Sequence, residues 1–369
     1  MIQRLYINNF RCLENFELTF RGERSSLLIG KNGAGKSTVC SALKVLQKIA
    51  RGTNRIRDLV TQNDFSRGRS DVPMRFELEV VVEEITYLYS LALEFPKDFK
   101  ELRIFEESLV VNGKPIYTRN VERVRLARSG KELEANFLID WHLVALPVVQ
   151  AATNKDPIAN FRNWLAKMLI LRPIPSLITG DAIGETLQPN DDLSDLGGWF
   201  TGIMALSPSS YMEVDQYLKQ VMPDIQDVQN RPTGGEAKSL LVRFATKQGK
   251  TEFPFSALSD GEKCYMICAL VLAAHRAYGP FFCFWDEPDN HLALSEVGHF
   301  VLTLRKAFKE SGQFLATSHN PEAIRRFSDE NTILLDRRSH LEPTLVRRLA
   351  DLDMSGSAVE ALLRGELTV

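Results

Sequence analysis

Apolar and polar residues partly alternate over residues 2–7, which predicts an opening strand. Asn8-Asn9-Phe10-Arg11 breaks that pattern before a second strand at 16–20. Residues 25–29 are a short apolar strand that runs into a glycine-rich loop. Beyond the loop, Val39, Ala42, Leu43, Leu46 and Ile49 repeat at helical spacing, the stripe of an amphipathic helix. β-Branched and aromatic residues dominate 74–95, and Asn112-Gly113 signals a hairpin turn before Ile116 and Tyr117. This part of the chain reads as antiparallel β structure.

The texture changes near Asn136. Helices are predicted at 161–171 and 211–221, with a long Gly/Asp/Pro-rich surface loop at 180–198 between them. Strand texture returns at 240–245. From Ser259 onward the order is helix, buried strand, helix, strand. Residues 281–285 are wholly apolar and short, as expected of a central parallel strand covered on both faces. Residues 315–317 and 332–335 predict two more strands. No internal repeat interrupts the order, and no heptad pattern lasts long enough for a coiled coil. The expected organisation is a first part of the main lobe at 1–135, a helical insertion at 136–235, and a second part of the main lobe at 236–369.

Composition excludes several classes. Of 369 residues, 44% are apolar and 25% charged, close to averages for globular proteins, so a disordered or collagen-like chain is ruled out. With 45 Lys+Arg against 47 Asp+Glu the net charge is −2, which argues against a general polyanion binder and confines any nucleic-acid surface to a local patch. The N-terminus lacks the layout of a signal peptide, and the apolar run at 266–274 is too short to span a bilayer. Five cysteines point to reduced thiols in a cytoplasmic setting, and no His or Cys near Cys264 and Cys268 completes a metal set.

Four segments carry candidate chemistry. Gly30-Lys31-Asn32-Gly33-Ala34-Gly35-Lys36-Ser37, followed by Thr38, matches G-x-x-x-x-G-K-[ST] between a strand and a helix. Glycines let backbone N–H groups curl around phosphate oxygens, Lys36 reaches the β and γ phosphates, and the Ser37 hydroxyl ligates Mg²⁺. Asp286 ends the apolar run 281–285 at a strand's carboxyl edge, where it would hold Mg²⁺ through its water shell. Glu287 follows it and would polarise an attacking water. Ser259-Asp260-Gly261-Glu262 has two readings: an S-x-x-E capping box that only stabilises a helix, or an anion site in which Ser259, Gly261 and the helix N–H groups receive a γ-phosphate. His319, after the strand at 315–317, is a candidate γ-phosphate sensor.

In this order the four segments resemble ABC-type ATPase heads of the RecF/SMC class, the AAA-21/AAA-15 predicted ATPases among them. The opening strand with Asn9-Phe10-Arg11 is similar to that class as well, and the likeness covers about residues 1–60 and 250–335. The resemblance implies an α/β P-loop NTPase fold: an ABC-type head with a mixed sheet, an antiparallel β subdomain and a helical lobe. It makes 30–38 the Walker A loop, Asp286-Glu287 the Walker B pair, 258–262 the signature and His319 the switch histidine. By the same analogy Gln62 stands where a Q-loop residue would, and Arg11 touches nucleotide phosphate. Asp260, where small residues are frequent, and the bulky Trp285 depart from the pattern.

The implied function is slow ATP hydrolysis with Mg²⁺ by a head that homodimerises around ATP, the partner copy's Ser259 and Gly261 completing the site. Relatives of this kind act in DNA repair or phage defence beside a separate effector protein. The rival is a non-hydrolysing module in which ATP only holds a complex together. Ser37 and Ser259 are 222 residues apart, wider than in a transporter subunit and far too narrow for SMC arms, and the 50 residues after His319 hold no acidic cluster suited to a nuclease. DNA or RNA contact is expected at two basic clusters: Lys44, Lys48, Arg51, Arg55, Arg57, Arg67 and Arg69, then Arg119, Arg123, Arg125, Arg128 and Lys131.

Overall fold

The computed structural model describes residues 1–97, 99–127, 135–151, 153 and 156–352, so Arg128 and Lys131 of the second basic cluster lie outside the described residues. The chain divides into two compact units, residues 1–168 with 328–369 and residues 169–327.

The first unit opens with β1 (Ile2–Asn8), β2 (Phe16–Thr19) and β3 (Ser25–Ile29), followed by helix α1 (Lys36–Ala50). After three short 3₁₀ turns come β4 (Met74–Val82), β5 (Ile85–Glu94), β6 (Arg103–Val111), β7 (Lys114–Asn120), β8 (Arg123–Leu126) and β9 (Ala135–Leu138), then helix α2 (Pro157–Ala166). An antiparallel sheet runs β2-β1-β4-β5-β6-β7-β8-β9. Its alternation is visible in β4, where Met74, Phe76, Leu78 and Val80 are fully buried and the residues between them are not. Asn112 and Gly113 both take positive φ, 48° and 77°, as a two-residue β6–β7 turn requires.

One face of this sheet carries a buried carboxylate. Glu107 accepts from the Tyr89 hydroxyl (3.1 Å), the Tyr117 hydroxyl (2.9 Å) and the Ala145 and Leu146 N–H groups (2.7 and 2.9 Å). Burial raises its pKa, against the lowering by these bonds and by Arg119. Arg119 lies 3.7 Å away with its side chain fully buried, and donates to the carbonyls of Val121, Asp140 and Leu143. The network ties residues 140–146 to the sheet. It also corrects the reading of Arg119 as a nucleic-acid contact: the guanidinium is consumed inside the fold.

The second unit contains β10 (Leu169–Leu171), β11 (Asp181–Ile183), α3 (Leu196–Leu206), α4 (Ser210–Val221), β12 (Ile225–Gly234), β13 (Ala237–Thr246), β14 (Gly249–Pro254), α5 (Asp260–Tyr278), β15 (Phe282–Trp285), α6 (Leu294–Ala307), β16 (Gln313–Thr317) and α7 (Pro321–Arg325). β15 pairs in parallel with both β10 and β16, so its apolar run is central, as predicted. β17 (Thr332–Asp336) and β18 (Leu345–Arg348) return to the first unit, where β17 lies parallel to β3 and antiparallel to β18.

Two expectations fail in the middle of the chain. The helix expected at 161–171 stops at Ala166, because Leu169-Ile170-Leu171 is a fully buried run that pairs with β15. The helix begins earlier instead, with the Asp156 carboxylate accepting from Ile158 N and Pro157 in the first turn. The stretch 180–198 is not a plain surface loop. It contains β11 and the start of α3, whose glycines permit backbone contact: a Cβ on Gly197 would lie 2.4 Å from the Gly180 oxygen, and one on Gly202 2.2 Å from the Thr186 oxygen.

Candidate functional site

In the first unit the chain leaves β3 through the glycine loop and enters α1. Each glycine is needed where it stands. Gly30 has φ 150°, and a Cβ there would sit 2.2 Å from the Leu335 carbonyl oxygen of β17. Gly35 has φ 106°, with Thr344 Oγ1 2.9 Å and Cys12 Sγ 3.1 Å from where its Cβ would be. Gly33 has φ 82° and stands beside His340, whose Nε2 is 3.9 Å from the equivalent position. No side chain caps the N-terminus of α1, so its dipole end faces the loop. Lys36 is almost fully buried, and its Nζ donates back to the carbonyls of Gly30 (2.8 Å) and Lys31 (3.4 Å). Asn32 and Ser37 are exposed on the same loop, and Ala34 is propped from beneath by Thr344, whose hydroxyl donates to the Ala34 oxygen at 2.9 Å. Thr38 accepts a hydrogen bond from the Cys12 thiol at 3.4 Å.

Arg11 reaches this loop from another direction. Its backbone is left-handed (φ 54°), held by N–H donation to the Asp64 oxygen at 2.6 Å. The guanidinium donates to Asp64 Oδ1 (2.8 Å) and to Ser41 Oγ (2.9 Å), and the Ser41 hydroxyl donates to the Ser37 carbonyl (3.0 Å). Burial alone would raise the Asp64 pKa, but the Thr61 N–H and Arg11 outweigh it and hold the carboxyl below its ordinary value. Gln62 lies in the 3₁₀ turn that Asp64 closes, exposed, two residues from Arg11's partner. Arg11, Asp64, Thr61 and Ser41 form one hydrogen-bonded cluster, and Gln62 lies on the turn that carries Asp64.

In the second unit Asp286 follows β15 and is 8% exposed. Its N–H donates to Leu171 O (2.8 Å), and its Oδ1 accepts from Thr317 Oγ1 at 2.6 Å. The same hydroxyl accepts from Glu287 N at 2.8 Å, which helps hold Glu287 at a left-handed φ of 51°. The Glu287 carboxylate takes Asn290 Nδ2 at 2.5 Å and stands 3.2 Å from His319 Nε2. The structure thus brings together the expected base and the expected switch histidine. Ser318 donates to buried Asp289 at 2.7 Å, anchoring the loop that bears His319. Burial pushes the Asp289 carboxyl up, and Glu287's charge adds to this against the Ser318 bond.

Ser259 caps α5. Its Oγ accepts from Glu262 N (3.3 Å) while Glu262 Oε2 accepts from Ser259 N and Oγ (both 2.7 Å), so the capping box forms. Gly261 packs against the His291 carbonyl, 3.0 Å from where its Cβ would be, and Asp260 points to the surface with His291 Nδ1 3.7 Å away. Trp285 is accommodated because its ring is buried against Phe300, 5.6 Å between centroids. Sequence reasoning missed Thr317, Asp64, Thr344 and His340; only Asp64 had a signal, the Thr61-x-x-Asp64 spacing of a short capping box.

The described residues hold no group of three His, Cys, Asp or Glu fit for a metal. Each unit carries a hard oxygen of the kind Mg²⁺ takes, the Ser37 hydroxyl in the first and the Asp286 carboxylate, oriented by Thr317, in the second. Of the first basic cluster, Arg51 is spent on the Ala166 and Met168 carbonyls, while Arg67 and Arg69 meet Glu14. Arg55, Arg57, Arg123 and Arg125 remain exposed. No helix among the described residues is long and apolar enough to cross a membrane.

Comparison with known proteins agrees with this geometry. The RecF/RecN/SMC N-terminal domain model matches residues 1–340. The chromosome partition protein Smc of Xanthomonas oryzae pv. oryzae is 33% identical over 131 residues, 35% of this chain. That of Chlorobaculum tepidum is 32% identical over 80 residues, 22% of the chain. The chain spans only 10% and 7% of those relatives' lengths. Among solved structures, an Smc head bound to the C-terminal winged-helix domain of ScpA superposes with TM-score 0.59 at 14% identity, over 95% of this chain and 98% of that one. The Pyrococcus furiosus Smc head with an extended coiled coil, bound to the C-terminal domain of ScpA, gives 0.52 at 14% identity over 99% of both. At such identity the likeness establishes the fold alone. With the family model covering nearly the whole chain and the phosphate loop built as described, the protein belongs to the RecF/RecN/SMC N-terminal domain family, with the ABC-type ATPase head fold.

Proposed function

We propose that this chain binds and slowly hydrolyses ATP with Mg²⁺, and that two copies associate around the nucleotide to act as a switch on a separate effector in DNA repair or phage defence. The observation that carries hydrolysis, beyond binding, is Glu287: its carboxylate is held between Asn290 and His319, on a backbone pinned by Thr317. In this reading residues 30–38 wrap the phosphates and Lys36 gives up its carbonyl partners for β and γ oxygens. Ser37 and Asp286 would hold Mg²⁺, which would supply positive charge to the phosphates. Glu287 orients and deprotonates the attacking water. His319 keeps Glu287 in place and senses the γ-phosphate. Arg11 and Gln62 adjust to the nucleotide through Asp64. Ser259 and Gly261 serve the partner copy's γ-phosphate, a role that uses the same N-terminus the capping box stabilises.

Five buried cysteines, none of them in a disulfide, suit a reducing cytoplasm. For nucleic acid the support is narrower: Arg123 and Arg125 face an open concavity of about 430 Å³ with Arg75, Thr118 and Asn120 on the antiparallel sheet. The ScpA domains bound to the similar Smc heads support a protein partner as the effector.

Phosphate release by the purified chain tests the reading. Lys36→Ala should abolish tight ATP binding, and Glu287→Gln should retain it while lowering turnover by roughly 10²-fold or more. Affinity within about twofold of wild type in Lys36→Ala would remove the phosphate-loop assignment. Equal turnover in Glu287→Gln would remove the base, and absence of turnover in wild type would favour the non-hydrolysing module.

A further inference from the structure

The first unit holds a cavity of about 300 Å³ that shares only Gln62 with the proposed nucleotide site. Its apolar floor is Ile56, Val60 and Leu102, all buried, with Phe95 on the wall. At its rim stand three cations, Arg55, Arg57 and Lys100, all exposed. Two acids share the wall, Asp140, whose Oδ1 accepts from His142 N at 2.8 Å, and the exposed Glu101, so the three cations outnumber them. Among the described residues no carboxylate comes within 4 Å of Arg55 or Lys100 in the recorded ion pairs, and Arg57 meets only its neighbour Asp58, at 3.9 Å. A volume at the lower end of small-molecule sites, an apolar floor and a cationic rim define an amphiphilic anion site.

Thr61 and Gln62 also line the wall. From it a continuous path of hydrogen bonds leads to the phosphate loop. Thr61 N and Oγ1 donate to Asp64 Oδ2 (2.8 and 3.1 Å), Arg11 bridges Asp64 to Ser41, and Ser41 donates to the carbonyl of Ser37. We propose that this cavity binds a small organic anion with an apolar ring body, and that its occupancy is coupled to nucleotide binding through the Thr61–Asp64–Arg11–Ser41 path. The coupling, though not the binding, rests on the reading of residues 30–38 as an ATP site. A ligand that shifts the Thr61-Gln62 turn changes the Asp64 carboxylate that positions Arg11, and the linkage is necessarily reciprocal.

The probe is 8-anilinonaphthalene-1-sulfonate, an aromatic sulfonate whose fluorescence rises in an apolar site. Wild type should bind one probe per chain. Leu102→Trp, which fills the cavity, and Arg55→Glu, which reverses a rim charge, should each weaken it at least about tenfold. Lys100→Glu, at an exposed position, should weaken it with the melting temperature unchanged, separating loss of the site from loss of the fold. Saturating probe should shift the ATP dissociation constant by the factor that saturating ATP shifts the probe's, about fivefold or more, and Asp64→Asn should bring that factor to one. Probe affinity within about twofold of wild type in Arg55→Glu and Lys100→Glu overturns the site. Equal affinities with and without the second ligand overturn the coupling while leaving the site. ATP binding measured alone on wild type reads the nucleotide assignment separately.

Discussion

Thr317→Val removes one hydroxyl from a fully buried position and keeps the side-chain shape. That hydroxyl makes two bonds, a donation to the Asp286 carboxylate at 2.6 Å and an acceptance from Glu287 N at 2.8 Å. A hydrogen bond to a charged group contributes about 1.5–3 kcal/mol, and an orphaned N–H costs about 1–3 kcal/mol. Asp286, 8% exposed, recovers part of its loss from water, so the net destabilisation should be about 2–4 kcal/mol. For a unit of residues 169–327, at about 2–4 °C per kcal/mol, the melting temperature should fall by about 5–12 °C. Because Glu287 loses the bond that supports its left-handed backbone, turnover should fall about 10–100-fold, the scale seen when the partner of a metal-site ligand is removed. Thr317→Ser should restore both quantities. Differential scanning calorimetry and phosphate release on the three proteins measure them. If Thr317→Val melts within about 1 °C of wild type and turns over within about twofold, the Asp286–Thr317–Glu287 bridge is not what holds this pair.

Ser259→Arg should lower stability by about 1 kcal/mol through loss of the cap, spare ATP binding by a single chain, and block ATP-driven association, whereas Glu287→Gln should trap the dimer. Sedimentation with ATP and Mg²⁺ reads both; a Ser259→Arg, Glu287→Gln double variant that still dimerises leaves Ser259 as a helix cap only. Asp64→Asn should melt below wild type at pH 7. Since the folded-state pKa of Asp64 is lowered, its contribution is complete above the unfolded value of about 3.9 and disappears as pH falls through the folded value. The gap between the two melting curves should therefore close as the pH falls below about 4, and a gap that does not narrow on acidification would show that the Arg11–Asp64 pair does not couple to stability.

Local chemistry made much of this protein legible along the chain. The phosphate loop could be read because its glycines are demanded by the backbone itself, with positive φ at Gly33 and Gly35 and no room for a Cβ at Gly30. The strand texture of 74–95, the Asn112-Gly113 turn and the uninterrupted apolar run of β15 follow from side-chain shape, turn chemistry and burial on both faces, and all three stand. Leu169–Leu171 was misread because a three-residue apolar run has no period of its own; pairing in parallel with β15, more than a hundred residues further along, made it a strand. Arg119 looked like surface charge because nothing near it in sequence announces Glu107, which only the β6–β7 register brings alongside. The same holds for Thr317, one strand away from the carboxylate it orients, and for Asp64, 53 residues from Arg11. Motifs specify which groups do chemistry, since those groups and their glycines are neighbours in the chain. The residues that aim them are supplied by other strands and turns, and hydrogen bonds across such distances exist only once the chain has folded.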